Sequence, residues 1–373
     1  MSLTTDLKDY ALSIGFTKVG ITTAEDFTDF EDELASRGSI YECYHDYFRP
    51  SSKPNEIYPS AKSIIVLAYD YAQYTFPEEL TQKIARAYQS RSYLPLLESP
   101  AGKRIERFKD FLNQNRIPFS DDKNLLIMRR AAARAGVANF GRNNFSYVDG
   151  AGSFVILYGF LVDQELEPDE PTMECKCPPN CRKCMDACPT KAIYEPFKLN
   201  PAKCIAFNNF ETIYDREPFS PIIPRDMRPK LGMHIHGCDV CQEVCPRNAK
   251  KLNKSLPQND YLEMLNRKIT LADVLKMPDG YYEEYLYPIV YNYIRDKAFL
   301  QRNAAVAIGN TKDEKYVKDL EAQLSHPKEA VRTHVAWALG NIGGNKAMEI
   351  LEKHRKIEAS EKVRSEIVIA LDA

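Results

Sequence analysis

The chain has 373 residues, 44% of them hydrophobic and 27% charged, enough for two or three compact domains. Its formal charge of −2 excludes a global pull toward polyanions, so any nucleic-acid surface has to be a local patch. Ten cysteines, most of them between residues 175 and 245, exclude the evenly stapled scaffold of a small secreted protein. Met1–Tyr10 is polar and carries acids, unlike a secretory leader. The best apolar run, near Phe154–Val162, is far short of a membrane span, so a cytoplasmic protein with no membrane partner is expected.

Thr5–Ile14 places Leu7, Tyr10, Ala11 and Ile14 at helical spacing and predicts a short amphipathic helix. Phe16–Ile21 reads as a strand, and Ala61–Tyr71 (A-K-S-I-I-V-L-A-Y-D-Y) as a buried one. Gln82–Leu112 reads as mainly helical, broken at Pro95 and Pro100. Asp122–Gly136 includes an Ala- and Arg-rich helix. Phe145–Val148 and Ser153–Val162, with Asp149-Gly150 between them, predict a β-hairpin, because Asp-Gly suits the tight turn that strand twist favours. The mixture gives an α/β or α+β domain over residues 1–168.

Acids and prolines in Glu165–Pro178 mark a boundary, and a cysteine module follows over residues 169–255. The region 256–373 is helical and echoes itself. Gln301–Asn310 matches Arg332–Asn341 in its small and apolar positions, and Arg364–Leu371 is a weaker third copy. A period of about 31 residues suggests stacked helical pairs of the HEAT type. Such helices serve as an interaction surface or as a cap on a neighbouring domain, and the sequence leaves both open.

The chemistry is concentrated in two cysteine runs. Cys177, Cys181, Cys184 and Cys188 stand in C-P-P-N-C-R-K-C-M-D-A-C-P, and Cys238, Cys241 and Cys245 in G-C-D-V-C-Q-E-V-C-P. Short C-x-x-C turns supply two thiolates each, and a Cys-Pro ending sends the last ligand to the partner cluster, the grammar of two 4Fe–4S cubes. Interleaving assigns Cys177, Cys181, Cys184 and Cys245 to one cube. Cys188, Cys238 and Cys241 go to the other, with Cys204 of N-P-A-K-C as its fourth ligand. The first gap is one residue longer than usual, which makes Cys175 a competitor for Cys177; the latter lies closer to the standard reach. Structural zinc is the alternative use of C-x-x-C pairs, disfavoured by the Cys-Pro endings and the scarcity of nearby His. Cys43 reads as an inert thiol, and His234 and His236 as packing residues beside the second run.

The chain resembles the epoxyqueuosine reductase family, cobalamin-dependent iron–sulfur enzymes related to reductive dehalogenases. The resemblance runs through Ala11–Ile21, Tyr58–Ala68, Ile84–Tyr88, Ala132–Asn144, Gly152–Val162, the cysteine module and the terminal helices, and their order and spacing carry it. It implies an α+β protein: an N-terminal α/β corrinoid-binding domain, a ferredoxin-like double 4Fe–4S module and C-terminal HEAT-like repeats. It also implies reduction of epoxyqueuosine to queuosine in tRNA, with cobalamin held between the N-terminal domain and the nearer cluster. An external low-potential electron donor would feed the clusters. Counting back from Gly136, Asp122 occupies the family's acid position and becomes the expected proton donor, against its plain reading as a helix-start carboxylate. Gly141, Arg142, Asn143, Ser153 and Phe154 match the family's cofactor-facing loop and strand.

The D-x-H-x-x-G signature of corrinoid enzymes that supply His to cobalt is absent, and the resembled family needs none. Departures fall on the substrate side: Asn139 replaces an aromatic residue, Arg142 a lysine, and Ser90–Leu94 reads S-R-S-Y-L where the family has Gly-Arg-Asp-Tyr-His. Reduction of another small molecule, such as an organohalide, and a non-catalytic electron carrier are the competing functions. Lys250, Lys251, Lys254, Arg267 and Lys268 form a local basic set, readable as a tRNA contact or as a solvated face.

Overall fold

The computed structural model of the protein describes residues 2–39, 41, 49–121, 127–210, 220–290 and 294–372. In chain order the N-terminal part contains α1 (Leu3–Ser13), β1 (Lys18–Thr23), α2 (Thr28–Ser36), β2 (Ser63–Asp70), α3 (Pro100–Gln114), β3 (Phe119–Ser120), α4 (Met128–Arg134), β4 (Asn139–Phe140), β5 (Ser146–Tyr147) and β6 (Val155–Val162). Ser2 and Ser99 cap α1 and α3, each side chain accepting a hydrogen bond from an amide of the first turn.

The apolar run of β2 makes it a central strand. It lies in an antiparallel sheet ordered β1-β2-β6-β3, with Ile65 opposite both Ile21 and Phe160. Because strand side chains alternate, Ile65, Leu67 and Tyr69 pack on Leu7, Ala11, Phe108 and Leu112 of α1 and α3. Ile64, Val66 and Ala68 meet Ala131 and Ala132 of α4 on the other face. Gly20 allows that second layer to close, since a Cβ there would lie 1.9 Å from the Ala135 carbonyl oxygen.

The expected hairpin does not form. β5 pairs with β4, whereas β6 runs between β2 and β3. Val148 bridges to Gly152, within the turn itself. Burial of β6 as an inner strand overrides the local preference of Asp149-Gly150 for a two-stranded turn.

The cysteine module carries α5 (Lys183–Ala187), the small hairpin β7 (Ile193–Glu195) and β8 (Lys198–Leu199), α6 (Ile205–Asn208) and α7 (Val240–Glu243). The HEAT-like echo becomes α8 (Ala298–Thr311), α10 (Glu329–Ile342) and α12 (Glu361–Leu371), alternating with α9 (Val317–Gln323) and α11 (Asn345–Arg355). The repeated glycines let these helices approach. A Cβ on Gly309 would meet Trp337 Cζ3 at 2.8 Å, and one on Gly340 would meet Ala370 Cβ at 2.6 Å. Asn341 Nδ2 then donates to the Gly309 carbonyl at 2.9 Å, so the small-residue pattern encodes close stacking. Among the described residues no helix is long and apolar enough to cross a membrane.

Candidate metal centre and adjoining cleft

Each cysteine run turns directly into a one-turn helix, and these helices, α5 and α7, pack on one another. The contact interleaves the runs. Cys177, Cys181 and Cys184 of the first line a small cavity together with Cys245 of the second. Burial, then Cys245, pushes the Cys184 thiol up to about 11, with Cys177 adding to it. Around the second set, burial first and then Cys238 and Cys204 push Cys241 well up. Cys238 is likewise raised by burial and by the nearby Cys204 and Cys188, and Cys204 by burial and Cys188. Burial opposes the Cys188 thiolate too, but the Thr190 hydroxyl and the amides of Ala192 and Ile193 outweigh it and bring this thiol below its ordinary value.

The donor set fits two iron–sulfur cubes. Buried thiols that repel one another ionise together only around a compensating cationic centre. The four thiols of the first set line one cavity, as ligands of a single cube must. Cys177 faces this cavity, while Cys175 lines a different one. Cys43 lies outside the described residues.

The segment Phe140–Tyr147 forms the wall beside the thiols. Tyr147 donates its hydroxyl to Cys245 Sγ at 3.0 Å, and Asn143 Nδ2 donates to the Tyr147 hydroxyl at 3.0 Å and to the Cys241 carbonyl at 3.1 Å. Arg142 Nη1 donates to the Cys181 carbonyl at 2.7 Å. Gly141 must lack a side chain, because a Cβ would sit 2.2 Å from the Tyr147 ring.

Two larger cavities open on the other side of this wall. One, of about 700 Å³, is lined by Phe30, Arg37, Tyr41, Phe140, Asn144, Cys175, Phe197 and Phe207. The second, of about 630 Å³, is lined by Tyr93, Leu94, Leu97, Phe145, Ser146, Ser153 and Tyr158, with Lys109 and Asp121 also on its wall. Arg129 lines both, and its guanidinium donates to the Asn144 carbonyl. Arg37 and Arg130 both pair with Glu33 at the first cavity.

The expected cofactor contacts therefore divide. Arg142 and Asn143 face the cysteine turns, Gly141 packs against the Tyr147 ring, and Ser153 lines the second cavity while its hydroxyl donates to Gln242 at 2.9 Å. Phe154 is buried in the N-terminal core, its ring 6.1 Å from that of Tyr71, and lines neither cavity. Asp122 lies outside the described residues; Asp121, just before it, is held by Lys109 at 2.7 Å. Of the basic set, Lys251 pairs with Asp70 where both are nearly buried, so it joins module to N-terminal domain, whereas Lys250, Lys254, Arg267 and Lys268 are exposed. Sequence reasoning missed Asp239, only 4% exposed, whose carboxylate accepts from the Arg86 amide at 2.9 Å and its guanidinium at 3.1 Å. Its place inside the Cys238–Cys241 turn was the available signal. Asn248 was missed as well: its Oδ1 accepts from the Ser153 amide, and its Nδ2 donates to the Ser153 hydroxyl and the Gln242 carbonyl.

Comparison with known proteins matches the 4Fe-4S double cluster binding domain family to residues 176–248 and the HEAT repeats family to residues 295–372. Epoxyqueuosine reductase of Bacillus subtilis (strain 168) is 30% identical over 377 residues, spanning 97% of this chain and 93% of its own. The chain belongs to the epoxyqueuosine reductase family. A solved selenomethionine-labelled epoxyqueuosine reductase superposes with a TM-score of 0.84 at 28% identity, covering 99% of this chain and 98% of that one. Another, solved with an epoxyqueuosine-modified tRNA-Tyr stem loop, gives 0.81 at 28% with the same coverage. This family member is an oxidoreductase with a double 4Fe–4S module and a HEAT-repeat C-terminus.

Proposed function

We propose that this reductase converts epoxyqueuosine to queuosine in tRNA, using cobalamin in the cleft and electrons drawn through the two clusters. One observation carries the reading. The segment Phe140–Tyr147 lines the thiol cavity with Asn143 and Tyr147, and the two cleft cavities with Phe140, Asn144, Phe145 and Ser146. A single layer of chain thus separates the electron store from a cleft roomy enough for a large ligand. The tRNA substrate is supported by family membership and by the related structure solved with a modified stem loop.

The cleft suits a corrinoid because its walls are mainly apolar, with the cationic side chains of Arg129 and Lys109 among them. When bound, cobalamin supplies a reducible cobalt beside the substrate. Cys177, Cys181, Cys184 and Cys245 are proposed as one cube's ligands, and Cys188, Cys204, Cys238 and Cys241 as the other's. Removal of the epoxide oxygen as water consumes two electrons and two protons. The electrons enter from an external low-potential donor, and Asp122 is proposed to deliver a proton to the departing oxygen. A carboxyl desolvated against an apolar ligand keeps its proton near neutral pH, which suits it to that task.

The test is anaerobic reconstitution with iron, sulfide and cobalamin, followed by incubation with an epoxyqueuosine stem loop and a low-potential reductant. Nucleoside mass spectrometry should show queuosine replacing the epoxide. Protein that holds both clusters and the corrinoid yet leaves the epoxide intact would reject the assignment.

A further inference from the structure

The helical repeats share an apolar core with the cysteine module, and buried polar side chains are set within that contact. On α8, Arg302 and Asn303 are fully buried. Arg302 donates to the carbonyls of Pro221 and Asn208, each at 2.8 Å, and to Asn303 Oδ1 at 2.8 and 3.0 Å. Asn303 Nδ2 donates to the carbonyls of Asn209 at 3.0 Å and Ile235 at 2.8 Å.

Two of the four module residues that accept these bonds, Asn208 and Asn209, lead to cysteine turns. Asn208 Nδ2 donates to the Cys204 carbonyl at 2.9 Å, and its amide binds the same oxygen at 3.0 Å. Asn209 Nδ2 reaches the carbonyls of His234 at 3.3 Å and Gly237 at 3.5 Å, and Gly237 directly precedes Cys238. One helix of the repeats therefore grips the turn after Cys204 and the approach to Cys238. An apolar contact of equal volume would hold two domains together without the desolvation of a guanidinium. Directional bonds to particular carbonyls add something an apolar contact lacks, which is a defined register between the two cysteine segments.

We propose that Arg302 and Asn303 are positioning residues for the second iron–sulfur centre, and that the HEAT repeats serve as a clasp holding Cys204 and Cys238 in reach of one cube. The inference rests on the ligand allocation above, in which these two cysteines share a cluster with Cys188 and Cys241.

The experiment uses the full chain reconstituted anaerobically with iron and sulfide. Asn303→Leu and Arg302→Leu are compared with Asn303→Asp, which keeps the shape but loses the donor. Cys204→Ser serves as reference. Arg332→Leu serves as a control, since it breaks the Arg332–Glu358 pair inside the repeats. Expected is a fall from about eight irons per chain to about four in the α8 variants and in Cys204→Ser. The reduced protein should lose the magnetic coupling between two centres while one cluster keeps its spectrum. Arg332→Leu should lower the unfolding temperature with its iron retained. Full iron and an unchanged coupled spectrum in Asn303→Asp and Asn303→Leu would overturn the proposal, as would equal iron loss in Arg332→Leu. Full iron together with an unchanged spectrum in Cys204→Ser would instead overturn the ligand allocation, so the two failures are told apart.

Discussion

Tyr147 and Asp122 mark the two ends of the chemistry at the scale of single residues. The Tyr147 hydroxyl donates to Cys245 Sγ, and a donor on a ligand sulfur favours the more negative, reduced state of a cluster. Tyr147→Phe is expected to keep the full iron content and lower the midpoint potential of one cluster, read by potentiometric titration. An unchanged potential would separate this bond from cluster tuning. Asp122→Ala is expected to keep both clusters and bound cobalamin while turnover drops by about 10²–10⁴-fold, the usual contribution of a positioned acid. Single-turnover assays with a modified stem loop check this, and unaltered rates would reject the acid. The substrate-side departures also act here. Leu94 and Tyr93 line the second cavity, and Leu94 adopts a φ of 45°, unusual for a bulky residue. The neighbouring Ser92 carbonyl accepts from the Tyr158 hydroxyl, which ties this turn to β6.

Among elements, the stacked helices show how a repeat pattern becomes a packing constraint. Gly340 faces Ala370 across α10 and α12 with no room for a side chain. Gly340→Val is expected to destabilise the protein by about 1–3 kcal/mol through overpacking, measured as a lowered denaturant midpoint at constant slope. The β-hairpin expectation failed at this scale for a related reason. The turn preference of Asp149-Gly150 is local, whereas the partners of β6 come from residues 63–70 and 119–120, which lie far away in sequence.

For the whole molecule, buried polar groups are set into the apolar joint between repeats and module, and one of them senses pH. His334 on α10 accepts a hydrogen bond from the Ile223 amide at 3.1 Å, and its other ring nitrogen faces the Ala330 carbonyl. Burial first, then the nearby Arg228 and Arg302, hold its pKa well below the ordinary 6.5. The unfolded chain therefore binds a proton that the folded chain refuses. Stability from this site is complete above pH 6.5 and declines as pH falls below it. Urea midpoints of the native protein should drop between pH 7.5 and 5.5, and His334→Gln should flatten that slope. An equal slope in the variant would assign the effect elsewhere.

The sequence was most readable where chemistry imposes short spacings. The cysteine runs, the buried strand at 63–70 and the repeated small residues of α8 and α10 each follow from local rules: ligand reach, strand alternation and close helix stacking. The placement of Cys177 rather than Cys175 on the first thiol cavity needed the fold, since two residues of slack cannot be resolved by counting. Hidden from sequence, too, were the Arg86–Asp239 pair, the Tyr147–Cys245 bond and the Arg302–Asn303 grip, because each joins residues from distant parts of the chain. By itself the sequence determined the family, seven of the eight cysteines proposed as ligands and the three-part order of the chain. Only the tertiary structure decided that the segment Phe140–Tyr147 stands between thiols and cleft, and that the repeats face the cysteine module. A spacing is a property of neighbours in the chain, whereas a wall between two cavities exists only after the chain has packed.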